Sequence, residues 1–291
     1  MDNGITYSQR LVNRINNYPK ITTLLLIFIV LGSFISVKNE FFFTNTDLSS
    51  NDDGSEYGQY CNVASLALRG EIVTYISAEE TAVDGNSMVD KTSSETLVGL
   101  INEINNNNAI EAIYLEIDSG GGSPTAGEAI ADALRSTSKP VYVLVKDIAA
   151  SSAYLAATGA DKIFASAFSS IGGIGITMSY LENAAQNQKE GINYITLSSG
   201  KFKDAGAPEK TLTQEEKNLF MRDIMLMHEE FVKQVARNRQ LDINKVTQLA
   251  DGSTMMAQQA LENGLIDQIG SIEDITNEIQ NEIGEEVVYC W

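Results

Sequence analysis

The sequence predicts an α/β fold in which buried strands alternate with amphipathic helices. The strand-like runs are short and rich in Val and Ile, whereas the helical runs repeat their apolar residues every three or four positions. The predicted strands cover residues 63–68, 113–117, 141–145, 162–165 and 194–197. The predicted helices cover residues 125–135, 151–158 and 214–239. Such alternation is typical of a layered α/β domain, and 291 residues allow one large domain of this kind.

Two local patterns set the ends of predicted helices. Thr213 and Glu216 form a capping-box pair in front of the long helix. Gly264 follows the apolar helical residue Leu261 and precedes a short apolar run that ends at Ile269. Because glycine readily adopts the left-handed conformation that ends helices, this pattern predicts a helix end and a returning strand.

Ser151 lies where the predicted strand 141–145 gives way to a helix start rich in alanine. A hydroxyl at such a turn meets free backbone N–H groups and the positive end of the helix dipole, and both stabilise an oxyanion. Ser151 is therefore a candidate nucleophile, with Ser152 as a neighbouring hydroxyl. The alternative is structural, because Ser is a preferred helix N-cap residue.

A serine nucleophile needs a base, and the chain has one histidine, His228. His228 shares an apolar helix face with Ile224, which favours a packed helix residue over a triad member. Lysine is the other candidate base, provided that desolvation or a nearby positive charge lowers its pKa of about 10.4 by roughly three pH units. Lys201 and Lys203 compete for this role, since residues two apart in an extended chain share a face. An exposed basic loop is the alternative interpretation of both lysines.

Three consecutive glycines, Gly120, Gly121 and Gly122, follow the predicted strand 113–117. Glycines at a strand end allow close backbone approach and can turn N–H groups toward an oxyanion, a phosphate or a thioester carbonyl. A P-loop is disfavoured because no Gly-Lys-Ser or Gly-Lys-Thr follows, and the dinucleotide-binding pattern is not met. With one His and two Cys, the usual zinc sites are also disfavoured.

Together these segments resemble the signal peptide peptidase A family of Ser-Lys membrane proteases, whose fold is similar to that of Clp protease and crotonase. Residues 118–122 are similar to the family's S-P-G-G, residues 149–154 to A-A-S-G-G-Y, and residues 171–176 to G-S-I-G-V. Residues 199–204 resemble the segment that carries the catalytic Lys. Further similar segments follow in order at residues 235–239, 250–252 and 259–270.

The resemblance implies a Clp protease/crotonase-like domain with repeated β-β-α units over residues 61–291, in the family's short single-domain form. The site residues that it implies are the nucleophile Ser151, the base Lys203 rather than Lys201, and the oxyanion donors Gly121 or Gly122 and Ser152. No metal or cofactor is implied. The implied substrates are remnant signal peptides or other hydrophobic membrane-associated peptides, and the implied assembly is a ring-like homo-oligomer whose neighbours complete each site.

Three positions depart from the family pattern. Gly120 replaces the usual Pro, and Ser152 with Ala153 replaces the Gly pair after the nucleophile. Gly173 replaces a Ser that the resemblance expects to orient the Lys amine. Ser169 or Ser170 is the expected substitute, since each offers a hydroxyl nearby.

Residues 21–37 carry no charge and predict a transmembrane anchor. Arg10, Arg14 and Lys20 precede this run against the single acidic residue Asp2, so residues 1–20 are expected in the cytoplasm. Residues 38–60 include many Asn, Asp, Ser and Gly residues and predict a flexible linker. We therefore expect a single-pass protein of the plasma (inner) membrane with its catalytic domain outside the cytoplasm. A cleaved signal peptide is the alternative.

The net charge of the chain limits its possible partners, and its cysteine content bears on the redox environment in which the domain folds. The net charge of −19 opposes nucleic acid as a partner and disfavours peripheral binding to anionic lipid. Cys61 and Cys290 are the two cysteines of the chain. A disulfide between them is chemically allowed outside the cytoplasm, although two unpaired thiols are the favoured interpretation.

Three further functions stay open. A stomatin-cleaving membrane protease would share the same fold and the same catalytic pair. A crotonase-like acyl-CoA enzyme would direct the glycine N–H groups to a thioester, although the anchor, the acidity and the pairing of Ser151 with Lys203 oppose it. A catalytically silent scaffold would only bind membrane peptides, and Gly173 is the observation that favours it.

Overall fold

The computed structural model describes residues 61–77 and 90–290. The predicted cytoplasmic segment 1–20, anchor 21–37 and linker 38–60 lie outside the described residues. None of the described helices combines the length and apolarity that a bilayer crossing requires.

One mixed sheet of nine strands forms the centre of the described domain. The strands are β1 (Val63–Val73), β2 (Lys91–Ser93), β3 (Ala112–Gly122), β4 (Val141–Ala150), β5 (Lys162–Ala165), β6 (Ser170–Gly172), β7 (Thr254–Met256), β8 (Gln268–Ile269) and β9 (Tyr289–Cys290). The main spatial order is β2-β1-β3-β4-β5-β8, and every pair in that order is parallel. β9 lies parallel to β1, β6 parallel to β4, and β7 antiparallel to β6.

Eight helices surround this sheet in the described ranges. They are α1 (Ser94–Asn106), α2 (Pro124–Ser136), α3 (Ser152–Ala157), α4 (Ala184–Lys189), α5 (Gln214–Arg239), α6 (Ile243–Leu249), α7 (Ala257–Asn263) and α8 (Ile272–Ile283). α5 begins at the predicted capping box, since the Thr213 hydroxyl accepts the N–H of Glu216 and the Glu216 carboxylate accepts the N–H of Thr213.

The central strands bury both of their faces, as parallel sheets require. In β4, Val143 and Val145 belong to the larger apolar cluster with α1, α2, α3 and the C-terminal half of α5. Tyr142 and Leu144 point to the opposite face, where Ile275 of α8 covers them. The period-two alternation therefore fills two separate layers of core.

Four of the five predicted strands and all three predicted helices are confirmed. Gly264 ends α7 in the left-handed conformation and β8 follows, as predicted. The strand predicted at residues 194–197 is wrong, because this segment is irregular and none of the described strands lies beside it to pair with its backbone groups. The β-β-α repeat appears at β1-β2-α1 and β5-β6-α4, whereas β3 and β4 are each followed directly by a helix.

The two ends of the described domain meet. β9 pairs with the start of β1, and a disulfide joins Cys61 to Cys290 across a sequence separation of 229 residues. The favoured interpretation of two unpaired thiols is therefore wrong. This interpretation failed because local sequence patterns do not reveal that β1 and β9 are neighbours.

Candidate active site

The candidate site forms where three strands end side by side. β3 ends in the glycine run, β4 ends at Ala150, and β6 ends at Gly172. The register pairs Ser119 with Ala149 and Ala150 with Gly172, so the turn after β4 lies between the other two strand ends. In open parallel sheets, ligands bind outside the carboxyl ends of the strands, which is where this turn lies.

Ser151 occupies the turn between β4 and α3 in a strained conformation. Its φ of 55° and ψ of −129° lie in a region that L-residues rarely adopt. Among the described residues other than glycine, Gln240 is the one other residue with positive φ. The strain costs roughly 1 to 3 kcal/mol and persists only where the surroundings enforce it. Here the Ser151 N–H donates to the carbonyl of Gly172 at 2.8 Å, which fixes the turn.

The Ser151 side chain does not act as a helix cap. Ser151 holds the N-cap position of α3, yet its hydroxyl makes no capping hydrogen bond. Among the described residues, the Ser151 hydroxyl therefore has no hydrogen-bond partner. Ser152, by contrast, is 1% exposed, and its buried hydroxyl has no hydrogen-bond partner among the residues that the structure describes. A substrate approaching from solvent would meet Ser151 before Ser152.

Two glycines keep the walls close to Ser151. A Cβ built on Gly121 would lie 2.8 Å from the carbonyl oxygen of Ala150 and 2.9 Å from Cβ of Ser151. A Cβ built on Gly173 would lie 3.1 Å from the backbone nitrogen of Ser151. Both glycines also have positive φ, at 106° and 59°. The sequence therefore needs glycine at both positions for steric and conformational reasons.

The candidate oxyanion donors differ in their present hydrogen bonds. The Gly121 N–H donates to Ser119 Oγ at 3.0 Å, and that hydroxyl in turn donates to the carbonyl of Gly70. The N–H of Ser152 is the first of α3 and has no acceptor within the helix. Because N–H directions alternate along a strand and Ser123 donates to Ile72 of β1, Gly122 directs its N–H away from β1.

A cleft of about 510 Å³ opens in front of Ser151. Backbone from the strand ends, including Ala150 and Gly173, forms one wall. Met221, Ile224 and Met225 from α5 form the facing wall, so that wall is predominantly apolar. The cleft can therefore accept apolar side chains beside a free hydroxyl.

Asp251 is a carboxylate at the edge of this cleft. The hydroxyl and N–H of Ser253 both donate to its Oδ1, at 2.6 and 2.9 Å, and these hydrogen bonds lower the pKa of Asp251. The rim therefore carries a negative charge at neutral pH.

His228 also lines the cleft. It is half-buried on α5 and makes no hydrogen bond or ion pair with any described residue. The sequence predicts a packed helix residue, and His228 lies on an apolar stripe of α5 that continues from the core, at Phe231 and Val235, onto the wall of the cleft.

Lys203 and Lys201 both lie in the surface segment, by which we mean residues 177–212. Lys203 is exposed and is not among the residues that line the cleft. Lys201 is exposed too, and its ammonium pairs with Glu215 at 2.6 Å and lies 5.3 Å from the centre of the Phe202 ring. The single chain thus brings Ser151, Gly121 and Ser152 together but brings neither lysine to them.

Comparison with protein families identifies the chain at this point. The model for peptidase family S49 matches residues 133–285, which include both Ser151 and Lys203. The chain belongs to peptidase family S49. A second model, for Clp protease, matches residues 71–171, which include the glycine run and Ser151. The Clp protease-like α/β fold expected from the sequence is thereby supported, and the resemblance to signal peptide peptidase A proteins is confirmed.

Three curated relatives are similar to this S49 protein. A relative from Methanocaldococcus jannaschii, named as a protease, is 32% identical over 68% of this chain and 64% of its own length. A relative from Enterococcus faecium, named as signal peptide peptidase SppA, is 35% identical over 62% of this chain and 54% of its own. The chloroplastic serine protease SPPA of Arabidopsis thaliana is 29% identical over 62% of this chain and 27% of its own. The chain thus spans less than two thirds of each relative.

At Gly173, where the family pattern has a Ser, a hydroxyl residue from another strand lines the cleft in this S49 chain. Ser169, one expected substitute, is fully buried and its hydroxyl lies 2.9 and 3.0 Å from two backbone carbonyls, so it is not available to the cleft. Ser170 does not line the cleft either. Thr254 does, and its Cγ2 lies 3.5 Å from the Cβ position built on Gly173. Sequence reasoning missed Thr254 because only the pairing of β6 with β7 brings it there.

Proposed function

We propose that this S49 protein is a membrane-anchored serine endopeptidase in which Ser151 is the nucleophile and Lys203 the general base. One observation carries the proposal: Ser151 is held in a strained turn at the strand ends, does not cap its helix, and faces the cleft. Strained residues cluster at functional sites, and a serine between a strand and a helix is the geometry of a nucleophile elbow.

The reaction follows from the groups around the cleft. Ser151 Oγ attacks the scissile carbonyl carbon while the neutral amine of Lys203 accepts the hydroxyl proton. The tetrahedral oxyanion binds backbone N–H groups, and of the two glycines we favour Gly122 with Ser152, because the Gly121 N–H already bonds Ser119. The C–N bond then breaks and the Lys203 ammonium protonates the departing amine. Water attacks the acyl-enzyme with Lys203 as base again, and Ser151 regains its proton.

The proposed substrates are hydrophobic peptides near the membrane, with remnant signal peptides as the first class. The apolar α5 wall, with Met221, Ile224 and Met225, supports this choice. The name of the Enterococcus faecium relative also supports it. The uncharged run 21–37 would anchor the protein in the plasma (inner) membrane, with the domain outside the cytoplasm. The disulfide between Cys61 and Cys290 suits such an oxidising location.

We further propose that Lys203 reaches Ser151 from a neighbouring subunit of a ring-like homo-oligomer. Lys203 is exposed and absent from the cleft of its own chain. The segment around it exposes large apolar side chains, among them Leu197 at 98% and Leu181 at 90%. Such a surface is suited to contact with another subunit.

Labelling with a fluorophosphonate probe tests the nucleophile. The wild-type protein and Ser152→Ala should be labelled, and Ser151→Ala should not. Labelling that persists in Ser151→Ala and disappears in Ser152→Ala would reverse the assignment. A protein that is never labelled but binds CoA would be an acyl-CoA enzyme. One that binds hydrophobic peptides without labelling or cleavage would be the silent scaffold.

Substitution of the two lysines tests the base. Lys203→Met and Lys203→Arg should both be inactive, since guanidinium does not deprotonate at usable pH. Lys201→Met, the matched control two residues away, should keep most activity. An active Lys203→Met protein would refute the dyad.

Mixed oligomers test the sharing between subunits. Ser151→Ala chains keep Lys203, and Lys203→Met chains keep Ser151, so some mixed interfaces would join two intact groups. Recovered activity is the expected result. Mixed oligomers that stay inactive would mean that each chain supplies its own Lys203.

Cleavage of stomatin-like membrane proteins in preference to signal peptides would favour the stomatin-cleaving alternative.

A further inference from the structure

One ion cluster joins the chain beside Lys203 to the start of α5. The ammonium of Lys210 lies 2.6 Å from Oε1 of Glu216 and 3.4 Å from Oδ1 of Asp204. Asp204 directly follows Lys203 in the sequence. Between Lys203 and Lys210 the chain runs through consecutive turns, in which Ala207 donates to the carbonyl of Asp204 and Lys210 to that of Ala207. Lys210 therefore closes a short loop onto α5.

Glu216 is the fixed end of this cluster. Its side chain is 4% exposed, and its Oε2 accepts both the N–H and the hydroxyl of Thr213, at 2.9 and 3.0 Å. The hydrogen bond from Lys210 and those from Thr213 lower the pKa of Glu216 to about 2. Because both carboxylate oxygens are engaged, Glu216 holds Lys210 in one position relative to the helix.

Asp204 is the end of the cluster that lies outside α5. It belongs to the surface segment, in which residues 177–211 contain no buried residue. Its Oδ2 is nevertheless shielded from solvent without a hydrogen-bond partner, so Lys210 supplies the one ion pair of this carboxylate among the described residues. The chain at Gly206 passes close to α5, since a Cβ built there would lie 3.3 Å from the ring of Phe220.

The pair of Lys201 with Glu215 provides a contrast on the same stretch of chain. Its side chains are 62% and 64% exposed, and exposed pairs of this kind contribute little. The Lys210 cluster is much less accessible, and removal of one partner from a shielded pair leaves an uncompensated charge. Of these two ion-pair contacts between the Lys203 region and the start of α5, the Lys210 cluster should therefore contribute more to holding the two together.

We propose that Lys210 is a positioning residue. By holding Asp204 close to Glu216, it fixes the position of the adjacent Lys203 relative to α5. The proposal rests on the proposed role of Lys203 as base. Lys210 does not line the cleft, and it acts on Lys203 through Asp204. A misplacement of about 1 Å at a reacting group can reduce turnover by roughly 100-fold, so the position of this loop matters for the rate.

Steady-state kinetics of Lys210→Met in the full chain is the first test, with Lys201→Met as the matched control. We expect kcat to fall on the order of 100-fold while KM changes by less than about threefold, because the cleft itself is untouched. Lys210→Arg should recover most of the loss, since guanidinium can pair with both carboxylates. An unchanged kcat, or a defect confined to KM, would overturn the proposal.

Complementation between variants gives a second readout that a general loss of stability would not produce. Lys210→Met chains keep Ser151, so mixing them with Ser151→Ala chains should recover activity wherever the latter supplies Lys203. Mixing Lys210→Met with Lys203→Met should recover nothing, since both chains then lack a competent Lys203. Recovery in this second mixture would overturn the proposal.

The two proposals fail in different ways. If Lys203→Met is active, the dyad itself is wrong. If Lys203→Met is inactive and Lys210→Met retains its kcat, only the positioning role is wrong. If no mixture recovers activity, each chain uses its own Lys203, and the kcat of Lys210→Met still decides the positioning role.

Discussion

Residues 148–158, around Ser151, and residues 177–211, around Lys203, differ in how the rest of the chain holds them. Most residues of the first stretch are buried, and Tyr154 within it donates a hydrogen bond from its hydroxyl to the carbonyl of Leu265 at 2.8 Å. The second stretch has no buried residue and one helix, the short α4. Under the proposal that Lys203 acts from a neighbouring subunit, the Ser151 half of the site is complete within one chain, whereas the Lys203 half requires a partner surface.

α5 shows the same contrast along one helix. Its C-terminal half is held in the core through Phe231, Val232 and Val235, and Asn238 donates to the hydroxyl of Thr158 at 2.9 Å. Its N-terminal half presents Met221 and Met225 to the cleft and also exposes Leu226 at 58%. Contacts in the core thus fix the direction of α5, and α5 in turn positions the wall of the cleft and the Lys210 cluster.

The largest expected effect is at Ser151. Ser151→Ala should reduce peptidase activity on the order of 10⁶-fold, the scale seen when a serine nucleophile is removed. Its stability should stay near that of the wild type, because the hydroxyl makes no cap. Ser151→Gly should be equally inactive but more stable by about 1 kcal/mol, since glycine adopts positive φ without strain. Thermal unfolding measures this difference, and equal stability of the two variants would refute the strain.

The next effect compares Gly121, which packs against the Ser151 region, with Gly200, which lies in the Lys203 region. Gly121→Ala should lower stability by about 3 kcal/mol and abolish activity, because its new Cβ would clash with Ala150 and Ser151 at positive φ. Gly200→Ala should change neither, because a Cβ built there meets nothing within 4 Å. Denaturant unfolding of both variants checks the contrast. A large destabilisation at Gly200 would show that the surface segment is more tightly held than its exposure indicates.

A third effect separates assembly from folding. Leu197→Asp should leave the unfolding temperature of the isolated domain unchanged within a few degrees, since the side chain is 98% exposed. If the segment contacts a neighbour, the same change should reduce the size of the oligomer and the activity together. Light scattering and peptidase assays at matched concentrations measure both. Wild-type oligomers and activity would remove Leu197 from the proposed contact.

The smallest expected effect is a pH dependence at the start of α5. The pKa of Glu216 is lowered from 4.5 to about 2 by its hydrogen bonds, so its contribution to stability is present above about pH 4.5. That contribution should disappear as the pH falls from 4.5 toward 2. The stability difference between the wild type and Glu216→Gln should shrink over this range, whereas Glu215→Gln, at an exposed neighbouring position, should show no such trend.

The same contrast explains what could be predicted from the sequence. The turn at Ser151 is encoded locally, by an apolar strand followed directly by small helix-forming residues, and both elements are where the pattern predicts them. Residues 194–197 have the composition of a strand, but strand formation needs a partner, and none of the described strands lies beside them. The positions of Thr254 and His228 beside Ser151 depend on contacts between distant parts of the chain, which local patterns do not carry.

The neighbouring positions of β1 and β9 have a consequence for the order of folding. β1 is synthesised well before β9, yet part of its edge pairs with β9, 226 residues later in the sequence. At about 5 to 20 residues per second, that edge waits roughly 10 to 45 s for its partner. The domain therefore completes its sheet only after residues 289 and 290 have been synthesised. Until then, the edge at the start of β1 presents unpaired N–H and C=O groups that can pair with another nascent chain.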